Sequence, residues 1–157
     1  MAQLEEIVNL MYNTPSDINE HIPALLKYGN ECKYITEMGV RWITSTWAFL
    51  GCVPERLVSY DMRNPSTWGQ GGAGENTAVI QRGYNTIEEV YEMAKCIGVN
   101  YEFIQANVLD VEIEETDLLF LDTWHAYKQL KAELEKHSSK ARKYIVLHDT
   151  TTYANTD

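Results

Sequence analysis

No apolar run in these 157 residues approaches the ~18 that a membrane-crossing helix needs, and the N-terminus lacks the charged-then-apolar order of a secretory signal. A soluble, cytoplasmic protein is expected. Positive charge is scarce too: 13 Lys+Arg stand against 23 Asp+Glu, a formal net charge of -10. That balance argues against a sequence-independent grip on nucleic-acid phosphates and against docking on an anionic membrane. The basic cluster Lys136, Lys140, Arg142 and Lys143 suits a solvated helix end, where positive charge matches the dipole. Cysteine is limited to Cys32, Cys52 and Cys96, an odd number without C-x-x-C, so neither a disulfide framework nor a zinc knuckle is suggested. A full G-x-G-x-x-G is missing. So is the Lys-Ser/Thr that a phosphate loop would need after the glycine-dense stretch Trp68 to Asn76, which reads as a loop over a site or an idle surface loop.

What is present fits one domain with a real core: 45% hydrophobic and 23% charged residues are ordinary globular values. The organising stretch is Lys33 to Asp61. It predicts a strand ending at Glu37-Met38-Gly39, a turn, a short helix with Ser45 near its start, and a second strand ending at Asp61. The two acids are 24 positions apart. A βαβ unit holds a nucleotide-like ligand at this spacing. Glycine lets backbone approach, the helix start offers N–H groups, and the distal carboxylate accepts ribose hydroxyls. A plain βαβ unit, with Ser45 as a helix cap and two unrelated acids, meets the same pattern.

Around this unit the periodicity predicts a helix over 2–12 and a new helix start at Thr14-Pro15-Ser16-Asp17, with Pro23 as an interruption and Gly29-Asn30 as a stop. Residues 1–30 form this N-terminal helical segment, and 31–157 form the main domain. Residues 62–85 read as irregular. Thr86-Ile87-Glu88-Glu89 is a capping box, opening a helix to about Ile97 that faces Ile87, Val90, Tyr91 and Ala94 inward. A short strand over 101–104, a buried strand over 117–122, a helix over 126–136 with Tyr127, Leu130 and Leu134 on one face, and a strand over 143–149 complete the pattern. Alternating strands and helices give an α/β doubly wound, Rossmann-like parallel sheet with helices on both faces.

Glu37, Asp61, Asp122, His148 and Asp149 all fall at or just past the C-terminal ends of expected strands, the rim where such sheets bind ligands. Asp122-Thr123-Trp124-His125 faces His148-Asp149. Asp122, His148 and Asp149 could share a divalent metal, with Mg2+ favoured by oxygen ligands, and His125 could act as a base. Equally, His125 could stack on Trp124 and Asp149 cap a turn.

The chain resembles the class I S-adenosylmethionine-dependent methyltransferases, most closely the branch of cephalosporin-hydroxylase-like proteins and metal-dependent sugar O-methyltransferases. The resemblance spans about Tyr34 to Thr151. It rests on Ile35-Thr36-Glu37-Met38-Gly39-Val40 with Ser45-Thr46, on Leu57 to Asp61, on Leu119 to Tyr127 and on Ile145 to Thr150. It implies S-adenosylmethionine as cofactor, bordered by Glu37, Gly39 and Ser45, with Asp61 on the ribose and Asp110 near the adenine. It also implies a divalent metal on Asp122 and Asp149, which the strand-end reading joins with His148, and His125 with Asp122 in catalysis upon a small-molecule or sugar hydroxyl. His148 stands where metal-dependent relatives usually carry an acid. The family's sheet ends in a hairpin beyond the fifth strand, which this sequence lacks. Either the polypeptide is longer, or a second copy or partner chain covers that edge. A non-catalytic binding or assembly module of the same fold is the competing expectation, and a nicotinamide-dependent enzyme is a third.

Overall fold

A computed structural model of the chain describes residues 1–67 and 76–150. Among these residues five parallel strands form one sheet: β1 (Tyr34–Met38), β2 (Arg56–Asp61), β3 (Asn100–Gln105), β4 (Thr116–Leu121) and β5 (Ala141–Leu147), in the order β3-β2-β1-β4-β5. The direction of winding reverses between β1 and β4, so a crevice opens beyond their C-terminal ends. The expected α/β Rossmann-like fold is therefore the observed one.

One face of the sheet carries most of the helices. α1 (Ala2–Asn13), α2 (Ile22–Gly29), α3 (Thr44–Gly51) and α5 (Ile87–Ile97) supply Leu4, Met11, Leu25, Trp47, Phe49 and Val90 to a core shared with Ile35, Leu57, Leu118 and Phe120. Among the described residues, α6 (Tyr127–His137) is the one α-helix on the other face, through Leu130 and Leu134 against Met38, Val58, Leu119 and Leu121. The connection from β3 to β4 holds a single 3-10 turn, Val108–Asp110, in place of a helix. The period-2 strand pattern explains the division: Glu37 and Ser59 share the heavily covered face with Ile35 and Leu57, while Met38 and Tyr60 face α6.

Several local expectations change. Thr14 does not open a helix. Its hydroxyl donates to the Leu10 carbonyl at 2.8 Å and closes α1, and the next α-helix starts at Ile22. Pro23 does not interrupt that helix but occupies its first turn, where a missing N–H costs nothing. The irregular region contains α4 (Thr77–Arg82), capped by the Asn76 side chain on Ala78 and Val79 N–H. Tyr91 is exposed and Met93 takes its place in the core. Tyr127 is exposed as well. Glu133 and His137 are the buried polar residues of α6. The capping box holds in both halves, with Gly98 left-handed at the end of α5. Trp68, the glycine-dense stretch through Glu75, and Thr151 to Asp157 lie outside the described residues.

Among the described residues β5 pairs on one side only, with β4. The N-terminal helices pack into the same core as the sheet. No described helix is long and apolar enough to cross a membrane.

Candidate functional site

The backbone ladder continues past the strand ends and locks the rim together. Gly39 N–H donates to Tyr60 O at 2.8 Å, Asp122 N–H to Met38 O at 2.8 Å, and His148 N–H to Leu121 O at 3.1 Å. The turn after β1 is tight. Gly39, Arg41 and Ile43 have φ of 88°, 40° and 62°. Only glycine adopts such angles without strain. Asp61, at the end of β2, holds the turn. Its Oδ2 accepts the Val40 and Arg41 N–H groups at 2.8 and 3.0 Å, and its Oδ1 accepts from Arg63 N–H at 2.9 Å.

A cleft of about 410 Å³ lies beside this turn, with Gly39, Arg41, Asp61, Met62, Asn107, Asp122 and Trp124 in its wall. That volume falls within the range of small-molecule sites. Gly39, Asp61 and Asp122 are thus brought together as expected from the strand ends. Asp110 is not in the wall. It is exposed and accepts from Asn107 Nδ2 at 3.0 Å, and Asn107 is the residue of this turn that lines the cleft.

Glu37 and Ser45 lie elsewhere. Glu37 is fully buried under α3, where the hydroxyls of Ser45, Thr46 and Ser59 donate to its carboxyl, the last two at 2.7 Å. Ser45 therefore does not cap α3, whose N-cap is the left-handed Ile43. Burial pushes the Glu37 carboxyl up to about 7, against the pull of the three hydroxyls. A side chain in this setting pins α3 to the sheet and does not border the cleft.

The second group of polar residues meets at the far side of Asp122. His148 Nδ1 lies 3.0 Å from Asp122 Oδ1 and 3.3 Å from Asp149 Oδ2. His125 Nε2 lies 3.2 Å from Asp122 Oδ1 and 3.3 Å from Asp149 Oδ2. The four donor atoms fall within 4.8 Å of one another. Asp149 has a left-handed backbone, at φ 55°, and its Oδ2 meets both imidazoles. The hydrogen bond to Asp122 raises the basicity of His125. Burial opposes protonation of His148, but Asp122 and Asp149 outweigh it and raise its basicity too. Burial likewise pushes Asp122 up, yet its two imidazole partners hold it below the ordinary carboxylate range. Two carboxylates and two nitrogens in this space are a donor set that suits a divalent cation.

Sequence reasoning missed what lies beneath. Glu133, buried on α6, accepts from Thr123 Oγ1 at 2.5 Å and from Gln129 Nε2 at 2.7 Å. It ties the Asp122–His125 turn to the helix. Flanked by Ala132 and Leu134 on a helix rich in lysine and glutamate, this charged residue gave no sign of burial. Of the four tryptophans, Trp42 and Trp47 are core, while Trp124 is 79% exposed at the mouth of the cleft.

No family model matches the chain, and no curated protein sequence matches it. Among solved structures it is similar to a Staphylococcus aureus protein provisionally assigned as a caffeoyl-CoA O-methyltransferase. The TM-score is 0.54 with 15% sequence identity, over 99% of this chain and 76% of that one. At this identity the likeness establishes the shared fold.

Proposed function

We propose that the chain is an S-adenosylmethionine-dependent methyltransferase that acts on a hydroxyl of a small molecule. One observation carries the reading: Asp122 belongs both to the cleft wall and to the Asp/His cluster. A methyl donor in the cleft would then face a cluster able to accept a proton. The fold shared with a protein provisionally assigned as an O-methyltransferase supports it.

The residues fit such a cofactor. The Gly39 turn brings backbone to the cleft edge, and Asp61 exposes part of its carboxylate there. Bound S-adenosylmethionine supplies an electrophilic methyl group on sulfonium. Everything else falls to the chain. Asp61 fixes the turn and offers remaining lone pairs to ribose hydroxyls. Trp124 offers an aromatic face at the cleft mouth. His125, its basicity raised by Asp122, receives the acceptor's hydroxyl proton. Asp122, His148 and Asp149 would hold a divalent ion, which would make the bound hydroxyl more acidic. Positioning and deprotonation are the protein's share of the rate.

Calorimetry with S-adenosylmethionine tests this reading. Micromolar binding that is lost in Asp61→Ala supports it. Absence of binding to the folded chain refutes it and favours a non-catalytic binding module. Binding of NADH instead favours a nicotinamide enzyme.

A further inference from the structure

We infer that the Asp/His cluster selects a first-row transition dication such as Co2+ or Zn2+ over Mg2+, with His148, Asp122 and Asp149 as donors. The inference deepens the methyltransferase reading and rests on it only for the ion's role, not for its identity.

The argument starts from charge and burial. Asp122 and Asp149 are each about four-fifths buried, with side-chain exposures of 19% and 20%. Among the described residues, neither pairs with a lysine or arginine; their ionic partners are His125 and His148. Two buried carboxylates without a permanent cation are costly, and a dication between them offsets that cost.

The identity of the ion follows from His148. Its side chain is only 4% exposed. Its backbone is fixed to β4 by the bond to Leu121 O, and its Nδ1 already lies 3.0 and 3.3 Å from the two carboxylate oxygens. The nitrogen that faces the carboxylates is Nδ1, and a buried imidazole held there supplies a nitrogen donor, which Co2+, Fe2+ and Zn2+ accept readily. Mg2+ prefers an all-oxygen octahedron and keeps its waters.

His125 is the other imidazole, but its placement differs. It sits on the turn after β4, next to the exposed Trp124, and its side chain is 27% exposed against 4% for His148, although its Nε2 lies 3.2 and 3.3 Å from the same two carboxylate oxygens. Three protein donors leave an open position, as in catalytic metal sites, and His125 borders it.

The test uses the full chain stripped of metal with a chelator. Calorimetry with CoCl2, ZnCl2 and MgCl2 should give Co2+ and Zn2+ an affinity at least about a hundredfold above Mg2+. His148→Asp should bring the preference down to about tenfold or less, since it restores an oxygen donor. Asp122→Asn should abolish the visible absorption of bound Co2+, while His125→Gln leaves Co2+ affinity within about threefold. Equal binding of Mg2+, no binding of any ion to the folded protein, or a Co2+ spectrum unchanged by Asp122→Asn overturns the inference. A loss in His125→Gln as large as that in His148→Ala overturns the three-donor set. Circular dichroism shows that each variant is folded. S-adenosylmethionine binding is measured separately without metal. Cofactor binding without ion selectivity would sink this inference alone, and ion selectivity without cofactor binding would sink the methyltransferase reading alone.

Discussion

A Cβ placed on Gly39 would lie 2.0 Å from the carbonyl oxygen of Asp122. Two turns that follow neighbouring strands are therefore in backbone contact, and the glycine also has φ 88°. Gly39→Ala must move one of the two turns as well as bear the strained angle. A loss of about 4 kcal/mol or more is expected in chemical denaturation. A loss below about 1 kcal/mol would mean that the contact relaxes freely.

Glu37 makes stability depend on pH. Its folded-state value of about 7 lies above the ordinary 4.5, so the folded chain binds the proton more tightly than the unfolded one. Its contribution is greatest below 4.5 and declines as pH rises to about 7, beyond which the cost is constant. At about 1.4 kcal/mol per pH unit, the decline is on the order of 3 kcal/mol. Glu37→Gln keeps the size and removes the titration. Its denaturation midpoints should be flat over that window relative to the parent's. Parallel profiles for parent and variant would contradict the assignment.

Asp117 acts in the opposite direction. Its Oδ2 accepts the N–H groups of Lys33 and Tyr34 at 2.8 and 3.1 Å, and Oδ1 meets Arg142 at 3.0 Å. Burial raises its carboxyl, but the two N–H groups and Arg142 outweigh it and hold it below the ordinary value. The stability it contributes is present above the unfolded value and disappears as pH falls through the folded one. Asp117→Ala leaves two backbone donors at the start of β1 without an acceptor. It should cost about 2–4 kcal/mol at neutral pH and less in acid. A pH-independent cost would point to packing alone.

Trp124 separates binding from folding. At 79% exposure it contributes little to the core. Trp124→Ala should change stability by less than about 0.5 kcal/mol. Under the methyltransferase reading it should weaken cofactor or acceptor binding by roughly tenfold, the loss of one aromatic contact. Unchanged binding in calorimetry would remove Trp124 from the site.

The fold was legible because period and punctuation agreed. The apolar run before Asp122 reads as a strand buried on both faces, and Thr86 with Glu89 marks a helix start in sequence as in space. The polar strand ends of Asp61, Asp122, His148 and Asp149 were legible for the same reason. Glu37 was not: an acid before a glycine looks like a ligand holder, and only the three-dimensional meeting of Ser45, Thr46 and Ser59 shows a buried acceptor. Asp110 and Asn107 lie on one short turn, and which of them lines the cleft depends on how that turn sits against the rim, which spacing cannot reveal. Thr14 carried a start signal, yet its hydroxyl serves the carbonyl four residues back. Glu133 was invisible because its partner Thr123 comes from a different element.

Asp122 stands in two compartments at once. Thermodynamic reciprocity then ties them: whatever factor an occupant of one imposes on affinity in the other must be returned unchanged. Titrating either compartment with its neighbour empty and then filled should close the same cycle.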